Sequence, residues 1–113
     1  MTEMLITGQC NCGEVRHQSP GPVTRQGICR CPACVRMTGA LESPNIGVAP
    51  GNLEIVAGMP KAFKHPTSNE MCNSGAFHIC PTCGSPLYWT DAGNTEIAVF
   101  VGTLDDTGLL AGE

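Results

Sequence analysis

Large aromatic side chains are scarce in this sequence: one Trp, one Tyr and three Phe in 113 residues. A chain of this length is the size of one domain and buries only about two-thirds of its unfolded surface. With so little aromatic bulk, an apolar core needs help from some other staple, a disulfide framework or a structural metal. Charge is sparse as well, at 14% Asp, Glu, Lys and Arg with a net charge of −4. The six basic residues, Arg16, Arg25, Arg30, Arg36, Lys61 and Lys64, form no dense run, so the electrostatic footprint of a nucleic-acid binder is missing. No stretch approaches the roughly 20 apolar residues of a helical membrane span. The opening MTEMLITG has no basic region, no apolar run of signal length and no small-residue cleavage site, so a cytoplasmic location is expected. Helical periodicity is nearly absent too.

What the sequence has in quantity is glycine, proline and cysteine: 14, 9 and 8 residues. Gly, Pro and Asn recur every ten or so residues and separate short apolar runs, which is an all-β pattern. Strands are expected over residues 4–7, 14–17, 45–48, 53–57, 62–65, 75–79, 87–90 and 96–101. The last is the clearest, with Ile97, Val99 and Val101 on one side and Ala98 and Phe100 on the other. One or two helical turns are expected over residues 33–38. No repeat or linker interrupts the chain, so residues 1–113 read as a single domain, with 107–113 as a frayed tail.

In a reducing compartment, eight cysteines mean metal or redox chemistry rather than disulfides. Two thiolates separated by two residues reach one ion when the backbone turns between them, and Cys80-Pro81-Thr82-Cys83-Gly84 fits that knuckle. Pro81 pre-sets the turn, while Gly84 can take a positive φ that aims amides at the sulfurs. Cys10-Asn11-Cys12-Gly13 is a weaker signal by itself, but its trailing glycine echoes the other half-site.

Cys29-Arg30-Cys31-Pro32-Ala33-Cys34 places three thiols within six residues, enough for three corners of a tetrahedron. Structural zinc sites are closed by four protein ligands, whereas catalytic ones commonly have three and an open position. If Cys10, Cys12, Cys80 and Cys83 close one site, then Cys29, Cys31 and Cys34 make an open one and Cys72 is left over. Alternatively Cys72 closes the second site, giving two structural zincs and a binding module without catalysis.

Four motifs in order carry a specific resemblance. They are Gly8-Gln9-Cys10-Asn11-Cys12-Gly13-Glu14-Val15, Cys29 through Gly39, Cys80-Pro81-Thr82-Cys83-Gly84-Ser85-Pro86-Leu87, and Val101-Gly102-Thr103-Leu104-Asp105-Asp106. Together they span nearly the whole chain, which closely resembles the glutathione-dependent formaldehyde-activating enzyme family, also called the CENP-V/GFA domain. The resemblance implies a mainly β fold of the β-tent (Mss4-like) type and two zinc ions per chain. It implies a structural zinc on Cys10, Cys12, Cys80 and Cys83 and a catalytic zinc on Cys29, Cys31 and Cys34. The implied activity is carbon-sulfur lyase chemistry, the reversible addition of glutathione to formaldehyde giving S-(hydroxymethyl)glutathione. A free thiol with a pKa near 8.5 is mostly protonated at neutral pH, and zinc coordination would hold it as the thiolate. The expected partners are therefore a small-molecule thiol and an aldehyde, with neither nucleic acid nor membrane.

Arg30 and Arg36 flank the middle cluster and are candidates to pair with glutathione carboxylates, or else are solvated. His65 and His78 read as ordinary strand histidines, since the cysteines already satisfy two ions. Ser74 and Gly75 read as a turn, Tyr88 and Trp89 as core, and Asp105 and Asp106 as the end of the last strand.

Overall fold

A computed structural model describes residues 5–106; the tail expected over 107–113 and Met4 of the first expected strand lie outside the described residues. The fold is mainly β. Its strands are β1 (Ile6–Gln9), β2 (Arg16–Ser19), β3 (Arg25–Cys29), β4 (Ser43–Val48), β5 (Glu54–Ala57), β6 (Lys61–Lys64), β7 (Ala76–Ile79), β8 (Pro86–Thr90) and β9 (Ile97–Phe100), with one helix, α1 (Pro32–Thr38). They form two antiparallel sheets of the β-tent class, β1-β2-β5 and β3-β4-β9-β8-β7-β6.

The expected strands recur with shifted bounds, and the largest shifts flank the first cysteine pair. β1 and β2 lie two residues further along than the apolar runs at 4–7 and 14–17. The cause is the turn between them: the Cys10 amide donates to the Val15 carbonyl at 3.0 Å, so Glu14 and Val15 belong to the knuckle. β3 carries no apolar alternation and is largely exposed, because it is an edge strand paired only with β4. Sequence patterning alone therefore passes over it. The opposite edge, β6, is exposed along its length and has a lysine at each end, a charge pattern that discourages pairing with another chain.

β9 sits between β4 and β8 and is buried on both faces. Its alternation divides the interior in two. Ile97 and Val99 join Ile6, Val15, Ile46, Val48, Leu87 and Leu104 in one cluster, together with Cys10 and Cys80. Phe100 faces the other way, joining Phe77, Cys31, Ala33 and Cys34, with Trp89, Met37, Ile79, Cys29 and Cys72 packed around them. Val101, expected on the strand, begins a 3-10 turn (Val101–Thr103) but is still buried in the first cluster. Past that turn the chain returns to β1. There Gly8 bridges Leu104, the Asp105 amide donates to the Thr7 carbonyl at 2.9 Å, and the Thr7 hydroxyl donates to the Asp105 carboxylate at 2.6 Å.

α1 is bounded by its own residues. Pro32 occupies the first turn, where its missing N–H costs nothing. Gly39, at φ 75°, ends the helix in the left-handed conformation while its amide donates to the Val35 carbonyl.

Candidate metal centres

The first group of thiols sits where the two sheets meet. Cys10 leaves β1 and Cys12 lies in the turn to β2, while Cys80 leaves β7 and Cys83 lies in the turn to β8. Each pair is held by the same local device. Gly13 and Gly84 both have φ 82°, and their amides donate to the Cys10 and Cys80 carbonyls. The Val15 amide points at the Cys10 Sγ at 3.3 Å and the Cys83 amide at the Cys80 Sγ at 3.4 Å. Two further bonds tie the knuckles together: the Asn11 amide donates to the Ser85 hydroxyl at 2.9 Å, and the Thr82 hydroxyl donates to the Glu14 carboxylate at 2.8 Å.

The second group is assembled from β3, α1 and a distant turn. Cys29 ends β3, Cys31 precedes α1, and Cys34 lies within its first turn. Cys72, the residue that a four-plus-three count leaves over, stands beside them on a 3-10 turn (Met71–Ser74). Its Sγ is 3.4 Å from Cys34 Sγ and 3.8 Å from Cys29 Sγ, while Cys29 Sγ is 3.1 Å from Cys34 and 3.4 Å from Cys31.

Both groups suit a tetrahedral thiolate site. Four sulfurs about 2.3 Å from one ion stand about 3.8 Å apart, against about 2.05 Å in a disulfide. The separations of 3.6 and 3.9 Å in the first group and 3.1 to 3.8 Å in the second are all far longer than a disulfide and lie at or somewhat below the tetrahedral value. Every cysteine is a free thiol. Four-sulfur sets of this kind favour soft or borderline metals, zinc above all.

Electrostatics within each set call for a cation. Ser85 beside Cys83 pulls its thiol down to about 5. The Glu14 amide favours the Cys12 thiolate, but desolvation and the neighbouring sulfurs outweigh it and push Cys12 to about 12. In the second set, burial opposes ionisation of Cys31, yet contacts with Cys72, the Cys34 amide and Cys29 hold it at about 7. Burial pushes Cys34 upward and Cys72 to about 12. Thiols this close cannot all ionise unless positive charge joins them, and a divalent ion would supply it.

The second set opens on a cavity of about 240 Å³. Cys29, Cys34 and Cys72 line it with Trp89, Ala98 and Phe100 on apolar walls and Arg25 and Asn45 as polar groups. Arg25 donates to Asn45 Oδ1 at 3.1 Å and to Glu96 at 2.8 Å through Nε. Trp89, expected simply as core, also anchors the Cys72 turn, its indole N–H donating to the Cys72 carbonyl at 2.8 Å. Arg30 and Arg36 are not among the residues lining this cavity. Arg30 is exposed and pairs with Glu42 at 2.7 Å, and Arg36 is exposed on α1. Arg25 is the cation that local spacing from the cysteines misses, because it reaches the site through its place on β3.

A larger cavity of about 530 Å³ lies beside the first knuckle and touches only Cys10 of the thiols. His78 stacks on Tyr88 with ring centroids 4.3 Å apart and bonds Thr90 Oγ1 at 2.9 Å. His65 lies just past β6, where its Nδ1 accepts the amides of Thr67 and Ser68.

With this geometry in place, comparison with known proteins gives two findings. The family model described as glutathione-dependent formaldehyde-activating enzyme matches residues 5–112. A crystal structure of a Rhodobacter sphaeroides protein superposes with a TM-score of 0.68 at 22% identity, covering 88% of this chain and 87% of that one. None of the curated proteins matches the chain.

Proposed function

Because the chain belongs to the glutathione-dependent formaldehyde-activating enzyme family, we propose that it is a zinc-dependent carbon-sulfur lyase of that type, adding a thiol such as glutathione to formaldehyde or a related small aldehyde. The observation that carries this reading is the asymmetry of the two thiol sets. Cys10, Cys12, Cys80 and Cys83 join the two sheets and would hold a structural zinc. Cys29, Cys31 and Cys34 would hold the catalytic one beside a cavity.

Zinc, when bound, supplies the positive charge that keeps a substrate thiol in its nucleophilic thiolate form. The chain's own residues do the rest. At about 240 Å³ the cavity is smaller than the roughly 300–1,000 Å³ typical of sites that enclose a drug-sized ligand, so it suits the thiol arm of glutathione rather than the whole tripeptide. Trp89, Ala98 and Phe100 form the apolar walls that keep water from the reacting carbon, and Arg25 with Asn45 offers the polar side that would orient a carboxylate. The products are ordinary in balance: the thiol proton ends on the new hydroxyl as sulfur bonds to the aldehyde carbon. A cytoplasmic location, where glutathione is abundant, belongs to the same proposal.

The position of Cys72 favours a second reading, a non-catalytic binding module in which four cysteines close each site. Exchange spectroscopy separates the two. Glutathione and formaldehyde are mixed with the zinc-loaded protein, and NMR follows interconversion with their adduct; acceleration over the protein-free rate supports the lyase, and an unchanged rate supports the module.

A further inference from the structure

Three of the four sulfurs in the second set come from one short segment that runs from the end of β3 into α1, and they are positioned by a paired strand and a helix. The fourth comes from elsewhere. Cys72 is 38 residues from Cys34 and rides on a four-residue 3-10 turn. Its neighbour Met71 has φ 52°, a left-handed conformation that a side-chain-bearing residue rarely adopts, and Met71 is largely exposed. Besides the bonds within the turn itself, it is tied to the sheet through side chains, the Trp89 indole donating to the Cys72 carbonyl and Lys64 to the Ser74 carbonyl, each at 2.8 Å. Cys72 also lines the cavity, beside Cys29 and Cys34, so its corner of the site faces the space where a ligand would enter.

We propose that Cys72 is an exchangeable fourth ligand: it closes the second metal site in the resting protein and gives up its corner to an incoming thiol from the cavity. The proposal rests on the lyase reading for the identity of that thiol. Exchange balances without any further reactant. The incoming thiol gives its proton to the departing Cys72 sulfur, one metal-sulfur bond replaces another, and the net charge of the site is unchanged. Four cysteines around the second site are thereby compatible with a substrate position, and the resting site is protected from adventitious ligands.

The test uses cobalt-substituted protein, in which the intensity of the sulfur-to-metal absorption bands reports the number of bound thiolates, with Cys72→Ala and Cys72→Ser compared with the unaltered chain. Both variants are expected to keep two metal ions and a native far-UV circular dichroism spectrum. Titrated with reduced glutathione, they should gain thiolate absorption as the fourth corner fills, at a concentration lower by about tenfold or more than the unaltered protein needs, because an intramolecular competitor at high effective concentration is gone. The unaltered protein should change band shape without gaining intensity. Loss of the second metal in both variants, or equal glutathione affinity with and without Cys72, overturns the proposal. If exchange is seen but NMR shows no acceleration with formaldehyde, the exchangeable ligand stands and the lyase reading falls. Acceleration without exchange has the opposite meaning.

Discussion

His17 is 2% exposed, packed under the Gly8 backbone with its Nε2 3.1 Å from the Thr103 hydroxyl. That hydroxyl already donates its hydrogen to the Phe100 carbonyl at 2.9 Å, so His17 Nε2–H must be the donor in their bond. Burial lowers the His17 pKa from its ordinary 6.5, with Asp105 opposing the shift. The unfolded chain therefore binds more protons than the folded one once pH falls below about 6.5, and the stability present above that value is progressively lost. His17→Gln should lose less stability than the unaltered protein between pH 7.5 and 5.5. Urea midpoints at the two pH values check this, with metal content measured alongside so that acid release of metal is scored separately.

Gly75 sets a steric limit at the same scale. A β-carbon there would collide with the Thr90 carbonyl and the face of the Trp89 indole, neither of which can swing aside as a flexible chain end could. Gly75→Ala should destabilise by about 1–3 kcal/mol, the range for overpacking. The turn it joins also carries Cys72, so metal retention at the second site should weaken before that at the first.

At the scale of elements, the two thiol sets do different structural jobs. The first joins the turn between β1 and β2 to the turn between β7 and β8, and so ties one sheet to the other. The second ties β3 and α1 to a turn ahead of β7, all on the six-stranded sheet. Cys80→Ser is expected to abolish cooperative unfolding, whereas Cys31→Ser should stay folded and retain about one zinc per chain. Thermal melts with metal analysis distinguish them, and equal unfolding of both variants contradicts the division. Leu87 of β8 is fully buried in the same interior as Cys10 and Cys80, so Leu87→Ala should cost about 2–5 kcal/mol in urea unfolding.

These elements also show where sequence is informative. The two knuckles are legible because a Cys-x-Cys-Gly or Cys-x-x-Cys-Gly run encodes its own turn, and Gly13 and Gly84 adopt the same positive φ. β9 is legible because its alternation is unbroken, and that alternation sorts Val99 and Phe100 into different interiors. β3 is not, since an edge strand has no apolar face to betray it. Arg25 and Cys72 share a deeper reason: each reaches the second site through tertiary pairing, Arg25 opposite Gly47 in the sheet and Cys72 through the Trp89 bond, and spacing along the chain carries neither relation.

For the whole molecule, two four-thiol sets that could each hold a metal ion supplement the core that five aromatics cannot build. Prolonged chelation should remove two ions per chain and lower the melting temperature in two stages, the first site, whose Cys12 and Cys83 are exposed, yielding first. Metal analysis of partly stripped samples checks the order.

The separation of the ligands along the chain also has a meaning in time. Cys29 and Cys34 are five residues apart, so three corners of the second site exist as soon as a short segment leaves the ribosome. Cys12 and Cys80 are 68 residues apart, and the first site cannot be completed until Cys80 and Cys83 have been made. A metal ion would thus meet most of the second site's sulfurs early in synthesis, and those of the first site only after Cys80 and Cys83 have followed.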